Sequence, residues 1–75
     1  MSKEKDILAK IGDYIGKKAS KKFKSNVEFA NVCDVSEITI RRILAGKQNV
    51  SIKVLKQVCD ALDIKMSDLL KDIGN

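Results

Sequence analysis

The amino-acid sequence predicts an all-α fold, a compact bundle of five helices in a single domain of residues 1–75. Apolar residues recur at three- and four-residue spacing over several stretches, which is the pattern of amphipathic helices. Serines stand just before three of these stretches, where a hydroxyl can cap a helix. No segment alternates apolar and polar residues over a useful length, so strands are not expected.

The first predicted helix covers residues 3–22, and its apolar stripe consists of Ile7, Leu8, Ile11, Ile15 and Ala19. A second short helix is predicted at roughly 26–33, because Ser25 and Glu28 have the spacing of a capping box. The apolar residues of this second helix are Phe29, Ala30 and Cys33. Asp34 follows it, and aspartate is among the residues that accept a left-handed turn.

A third helix is predicted to begin after Ser36 as N-cap and to close at Gly46. At 100° per residue, one face centres on Ile40 and the opposite face carries Arg41, Arg42 and an exposed Ile38. A fourth helix begins after Ser51 and has the apolar stripe Ile52, Leu55, Val58, Cys59 and Leu62. A last short helix, near 66–73, offers Met66, Leu69, Leu70 and Ile73.

The net charge of +5 lies entirely in the first third of the chain, where residues 1–24 carry eight lysines against three acidic residues. It peaks at Lys17, Lys18, Lys21, Lys22 and Lys24. This density suits the binding of a polyanion, and it equally suits an ordinary solvated helix end.

Several function classes are disfavoured by composition. The chain has no histidine, no glycine-rich phosphate loop and no pair of carboxylates suited to a cleft, so we expect no enzyme, no metal site and no cofactor. Cys33 and Cys59 are expected to be small buried hydrophobes in a reducing cytosol. Neither an apolar signal region nor a membrane-length apolar run is present, so we expect a cytoplasmic protein with no membrane partner.

The second and third helices, joined by a turn of about three residues, have the arrangement of a helix-turn-helix with its core at about 26–45. The order and spacing of features from Ile11 to Leu70 resemble phage-repressor and Cro-type helix-turn-helix proteins, the XRE family. The residues that carry this resemblance are Ser25-Asn26-Val27-Glu28-Phe29-Ala30, Val35-Ser36, Thr39-Ile40, Arg42-Ile43, Gly46-Lys47-Gln48-Asn49, Ser51-Ile52, Leu55, Ala61-Leu62 and Ser67-Asp68-Leu69-Leu70.

This resemblance implies a lambda-repressor-like DNA-binding domain, and hence a transcriptional regulator or repressor that binds double-stranded DNA. The family often pairs a buried arginine and glutamate at the positions of Ala19 and Leu44, which we expect to touch in the core instead. The family's usual glycine before the second helix is replaced by Phe23 and its following leucine by Lys24, so Phe23 is expected to fill that apolar position.

By the same resemblance, the base contacts are expected from Glu37, Ile38, Thr39 and Arg42. Arg42 suits guanine O6 and N7, Glu37 suits cytosine N4, and Ile38 suits a thymine methyl group. A solvated surface arginine and an isoleucine buried against a neighbour are the alternatives. The phosphate contacts are expected from Asn26, Ser36, Arg41, Lys47, Gln48, Asn49, Lys22 and Lys24.

A 75-residue monomer is marginally stable, so a partner subunit is expected. We expect a homodimer on a palindromic operator, with half-sites about 34 Å apart. Its interface is expected from Ile64, Met66, Leu69, Leu70 and Ile73, unless all five close the monomer core. The alternative function is an antitoxin or a restriction–modification controller protein, and a protein partner such as a toxin or polymerase stays open.

Overall fold

The computed structural model describes the backbone of residues 3–74 and the side chains of residues 6–74. It has five helices: α1 (Lys3–Lys22), α2 (Asn26–Cys33), α3 (Glu37–Leu44), α4 (Ile52–Leu62) and α5 (Met66–Gly74). Residues 3–74 contain no strand. The predicted all-α class and the predicted order of five helices are therefore confirmed.

Three serines begin helices in the way that the sequence predicts. Ser25, Ser36 and Ser51 have extended backbones, and each hydroxyl accepts a hydrogen bond from the N–H three residues further on, at 3.1–3.2 Å. Each such cap stabilises its helix by about 1 kcal/mol. The reciprocal bond of a capping box, from the Ser25 N–H to the Glu28 carboxylate, is not among the contacts of the described residues.

Three of the helices are followed by a residue whose backbone has the left-handed conformation. Asp34 ends α2 at φ 61°, Asp63 ends α4 at φ 58°, and Gly46 follows α3 at φ 69°. The Gly46 N–H donates to the carbonyl of Ile43 at 3.1 Å, and the Lys47 N–H donates to the carbonyl of Arg42 at 3.0 Å. These two hydrogen bonds form a Schellman motif. At Gly46 a side chain would also lack space, because an added Cβ would lie 3.0 Å from the Cα of Ala9.

The core lies between α1 and the four shorter helices. α1 packs against α3, α4 and α5, and α2 packs against α3 and α4. The largest fully buried side chains come from all five helices: Phe29, Ile15, Ile40, Ile43, Leu69, Val58 and Cys59. Within the described part of the chain, no polar or charged side chain is buried. Packing of one apolar face per helix therefore holds the fold together.

Both cysteines are free and buried, as expected. Burial raises the pKa of the Cys33 thiol from 9.0 to about 11. Burial also raises the pKa of Cys59, with a further contribution from the nearby Asp60 carboxylate. The two thiols stay protonated near neutral pH, where they behave as small apolar side chains.

The junction between α1 and α2 is held by aromatic packing. Phe23 is half-buried and stacks on Phe29, with ring centroids 5.2 Å apart and ring planes 19° apart. It thus fills the apolar position expected of it. Ala19 is buried, Leu44 packs against the core, and both line one small open cavity of about 230 Å³. The two positions at which the family often has a buried ion pair are therefore apolar here, and direct contact between Ala19 and Leu44 stays a prediction.

The structure corrects the predicted role of Leu69. Its side chain is 0% exposed within the monomer, so it belongs to the core and not to a subunit-facing surface. Ile64, Met66 and Ile73 are partly buried against the same core, whereas Leu70 is 50% exposed. Because α5 packs closely against α1, the inner part of its apolar stripe closes the monomer.

Lys22 also takes a role other than the expected one. Its ammonium donates a hydrogen bond of 2.8 Å to the carbonyl oxygen of Ala61, in the last turn of α4. A cation at this end of a helix satisfies a free carbonyl and opposes the negative end of the helix dipole. Lys22 therefore joins α1 to α4, and its expected phosphate contact stays a prediction.

Candidate nucleic-acid interface

A tight turn sets α3 against α2. Asp34 takes the left-handed conformation, Val35 packs against the core, and Ser36 caps α3. The Val35 N–H donates to the carbonyl of Ala30 at 3.1 Å, which closes the end of α2. Two short helices connected in this way form a helix-turn-helix, whose second helix is the element that suits a DNA major groove.

The face of α3 that points away from the core carries Ile38 and Arg42. Ile40 is 0% exposed and marks the inner face. At 100° per residue, positions 38 and 42 lie about 160° from Ile40 on either side, which places them opposite the core. Ile38 is 61% exposed, and the Arg42 guanidinium has neither an ion pair nor a hydrogen bond among the side chains of residues 6–74. The alternative of a buried Ile38 is thereby excluded.

A second pair of residues on α3, Glu37 and Arg41, forms an ion pair. Arg41 Nη2 and Nε donate to Glu37 Oε2 at 2.7 Å and 3.1 Å. An exposed pair at this spacing contributes only about 0.5 kcal/mol to stability. The two opposite charges of this pair nevertheless lie beside the outer face of α3, so Arg42 carries the net positive charge of the helix in the free protein.

On the other side of α3, the hydroxyls of Ser36 and Thr39 contact each other. Ser36 Oγ and Thr39 Oγ1 are 2.8 Å apart, and Ser36 Oγ also accepts from the Thr39 N–H at 3.1 Å. Thr39 is half-buried. In the free protein, the hydroxyls of both Ser36 and Thr39 are therefore already engaged at the N-terminus of α3.

The remaining predicted phosphate contacts lie in two exposed segments. Lys47 and Asn49 are exposed just after α3, and Gln48 between them is half-buried. Asn26, the first residue of α2, and Lys24 before it are exposed on the rim of the cavity that Ala19 and Leu44 line. The free N–H groups at the start of a helix attract anions, so this second segment combines helix polarity with a lysine.

Comparison with known families decides the class of the protein. The model of the Cro/C1-type helix-turn-helix DNA-binding domain matches residues 17–75, more than half of the chain. The chain belongs to this family. Comparison with curated proteins gave no match. The match begins within α1 and includes all of α2–α5, so the whole Cro/C1-type helix-turn-helix lies inside it.

In this Cro/C1-type domain, the lysines of the first third of the chain differ in whether their ammonium groups have a nearby partner. Lys17 pairs with Asp13 at 3.2 Å, and the Lys18 ammonium lies 5.5 Å from the centre of the Tyr14 ring. Lys21 has no such partner among residues 6–74. The Lys17 pair is highly exposed and weak, so it opens easily beside a polyanion.

Sequence reasoning missed one residue that positions α3 in this Cro/C1-type domain. Gly12 of α1 lies against the end of α3, where an added Cβ would be 2.5 Å from the carbonyl oxygen of Ile43. A glycine within an amphipathic helix gives only a weak signal of such an approach. The ion pair of Glu37 and Arg41 was also missed, although their four-residue spacing is a recognisable signal.

None of the helices in the described part of the chain combines the length and the apolar character that crossing a bilayer requires.

Proposed function

We propose that this protein is a sequence-specific regulator of transcription that inserts α3 into the major groove of double-stranded DNA. The observation that carries the proposal is the outer face of α3, where an exposed Ile38 and an Arg42 with no ion pair to the side chains of residues 6–74 lie opposite the buried Ile40. Membership of a DNA-binding family supports the choice of ligand. An aliphatic side chain and a guanidinium are both suited to the edges of bases.

The proposed base contacts are those of α3: Glu37, Ile38, Thr39 and Arg42. The proposed phosphate contacts flank α3 on both sides: Asn26, Lys24, Ser36, Arg41, Lys47, Gln48 and Asn49. Groups of this second set hold the protein on the backbone without reading sequence. Lys47 is the clearest member, because it is exposed and follows the recognition helix directly.

The proposed assembly is a two-fold homodimer on a palindromic operator, with half-sites about 34 Å apart. Leu70, at 50% exposure, supports a subunit contact through the outer side of α5. Ile64, Met66 and Ile73 lie partly exposed and would extend that contact. Leu70→Ser should weaken dimerisation in sedimentation experiments and lower the melting temperature of the monomer only by the small difference in helix propensity between leucine and serine, because Leu70 lies outside the core.

The proposed function is tested by selecting bound sequences from random duplex DNA at near-physiological salt. We expect an enriched motif with two-fold symmetry. Arg42→Ala should lose most of the preference for that motif, whereas Lys47→Ala should weaken binding to all duplexes alike and reduce the salt slope by about one unit. Absence of any enriched motif would refute sequence-specific binding, and an enriched motif without a dyad would refute the dimer.

A further inference from the structure

Lys17, Lys18 and Lys21 lie on the side of α1 that faces away from α3, and we call them the lysine face. Gly12 marks the side of α1 that faces α3, because an added Cβ there would be 2.5 Å from the carbonyl oxygen of Ile43. At 100° per residue, the three lysines lie about 120–180° around the helix from Gly12. All three are exposed.

Two layers of helix separate the lysine face from the outer side of α3. That outer side carries Ile38 and is opposite the buried Ile40, and α1 packs against α3 on the inner side. A helix with its side chains is about 10 Å across, so the two surfaces are about 20 Å apart. A duplex that lies along α3 therefore leaves the lysine face in solvent.

Only weak contacts involve the lysine face in the free protein. Lys17 pairs with Asp13 at 3.2 Å, but both side chains are more than two-thirds exposed, so the pair contributes little to stability. The Lys18 ammonium lies 5.5 Å from the centre of the Tyr14 ring. Lys21 has neither kind of partner among residues 6–74. All three ammonium groups can therefore turn to an anion that approaches from solvent.

An open cavity of about 240 Å³ between α1 and α5 brings these groups together. Its lining consists of Asp13, Tyr14, Lys17, Lys18, Lys21 and Asp72, so three lysines against two aspartates leave it net positive. Burial raises the pKa of the Tyr14 hydroxyl, and the carboxylates of Asp68 and Asp72 raise it further. The hydroxyl therefore stays protonated near neutral pH and can donate a hydrogen bond to a phosphate oxygen.

We infer that the lysine face binds the phosphate backbone of a second DNA duplex while α3 holds the first, so that the protein joins two duplexes. The contact of α3 is the proposed function, and the second contact is independent of base sequence. The cations of the chain are divided accordingly. Its two arginines, Arg41 and Arg42, are both in α3, whereas the cations of α1 are all lysines. Arginine suits paired acceptors, and lysine acts as a point charge that accepts any phosphate.

The shape of the surface favours duplex DNA over an acidic segment of a protein. Lys10 is exposed on the same side of α1, two turns before Lys17, so the row that ends at Lys21 is about 16 Å long. Duplex DNA carries one negative charge per about 1.7 Å of its axis and therefore offers phosphates along the whole row. DNA is also the polyanion that a Cro/C1-type domain meets.

The experiment attaches a duplex with the selected motif to a surface, loads it with protein, and measures capture of a labelled duplex that lacks the motif. Each neutralised phosphate contributes about 0.9 to the slope of affinity against salt on logarithmic axes. Three lysines therefore predict that raising salt from about 50 mM to about 200 mM reduces capture by the unaltered protein about 40-fold.

The test variant combines Lys17→Gln, Lys18→Gln and Lys21→Gln. The matched control combines Lys53→Gln, Lys56→Gln and Lys65→Gln, three exposed lysines of α4 and the turn after it, and changes net charge equally. The test variant should capture the second duplex at least tenfold less than the control, because three phosphate contacts are lost. Both variants should bind the motif duplex with the same affinity. Circular dichroism checks that both are folded.

Three results would overturn the second contact. Equal capture by the two variants would show that other groups hold the labelled duplex. Weaker motif binding by the test variant alone would place the lysine face on the first duplex. Capture of labelled polyglutamate without capture of DNA would indicate an acidic protein partner instead.

The second contact and the proposed function fail in different ways. If no motif is selected, the proposed function is refuted, and a random duplex then takes the place of the motif duplex in a measurement of salt slopes. A shallower slope for the test variant than for the control would still support the lysine face. Equal slopes would overturn it.

Discussion

Replacing Gly12 by alanine should separate α1 from the recognition helix α3. The new Cβ would lie 2.5 Å from the carbonyl oxygen of Ile43 and 2.8 Å from that of Leu44. Both oxygens are backbone atoms, so no side-chain rotation relieves the overlap. Carbon and oxygen approach to about 3.3 Å in close contacts, so the two helices must move apart by about 0.8 Å.

The expected cost follows from two opposing terms. Insertion of a methyl group into packed space costs about 3 kcal/mol at the upper end of the usual range. Alanine gains about 1 kcal/mol over glycine in a helix interior. The net loss is therefore about 2 kcal/mol, which lowers the melting temperature of a chain of this size by about 8–16 °C.

Gly16→Ala provides the matched control, because Gly16 lies on the same helix about one turn further on. Its nearest neighbour for an added Cβ is the side chain of Leu44 at 3.6 Å, an ordinary contact. The helix-propensity gain of about 1 kcal/mol then remains, and the melting temperature should rise by about 4–8 °C.

Thermal and urea unfolding, followed by circular dichroism, measure both variants. At a temperature where both remain folded, Gly12→Ala should also bind its selected DNA more weakly than Gly16→Ala, because α3 has moved. The reasoning would be refuted by a Gly12→Ala variant as stable as Gly16→Ala.

Three further predictions concern helix ends and the core. Asp34→Gly should stabilise the protein by about 0.5–1 kcal/mol, and Asp34→Ala should destabilise it by about 1 kcal/mol, because φ is 61° there; urea midpoints check both, and equal midpoints would contradict the reasoning. Lys22→Met should cost about 1 kcal/mol in urea unfolding, because it keeps the apolar stem and removes the bond to the Ala61 carbonyl; an unchanged midpoint would contradict it. The free energy of unfolding should fall as pH rises from 9 to about 11, because the folded state holds the Cys33 proton that the unfolded state releases. In the Cys33→Ala variant this decline should be shallower. An identical decline in both proteins would contradict the assignment to Cys33.

The helices were predictable because their signals are local. A capping serine, an apolar stripe and a residue that accepts a left-handed turn all act within a few positions of one another. The bounds of α1 and α2 agree with the prediction, and the third helix ends at Leu44 with Ala45 as C-cap and Gly46 as the predicted C′ residue that closes it. The inner and outer faces of α3 follow from the same periodicity, so the exposure of Ile38 was predictable too.

The partners of individual side chains were less predictable. Lys22 and Ala61 are 39 positions apart, and no local pattern links a lysine at the end of one helix to a carbonyl of another. Leu69 and Leu70 are adjacent apolar residues of one short helix, yet one is fully buried and the other half-exposed. The rotation of α5 against α1 decides between them.

The sequence by itself determined the five helices, the helix-turn-helix and the side chains available on its recognition helix, because hydrogen bonding and apolar periodicity within each segment are sufficient for these. Only the tertiary structure decided which groups remain free to meet DNA. It placed Gly12 against α3, tied Lys22 to α4 and buried Leu69. These outcomes depend on distances between segments, and close packing sets such distances jointly for the whole core.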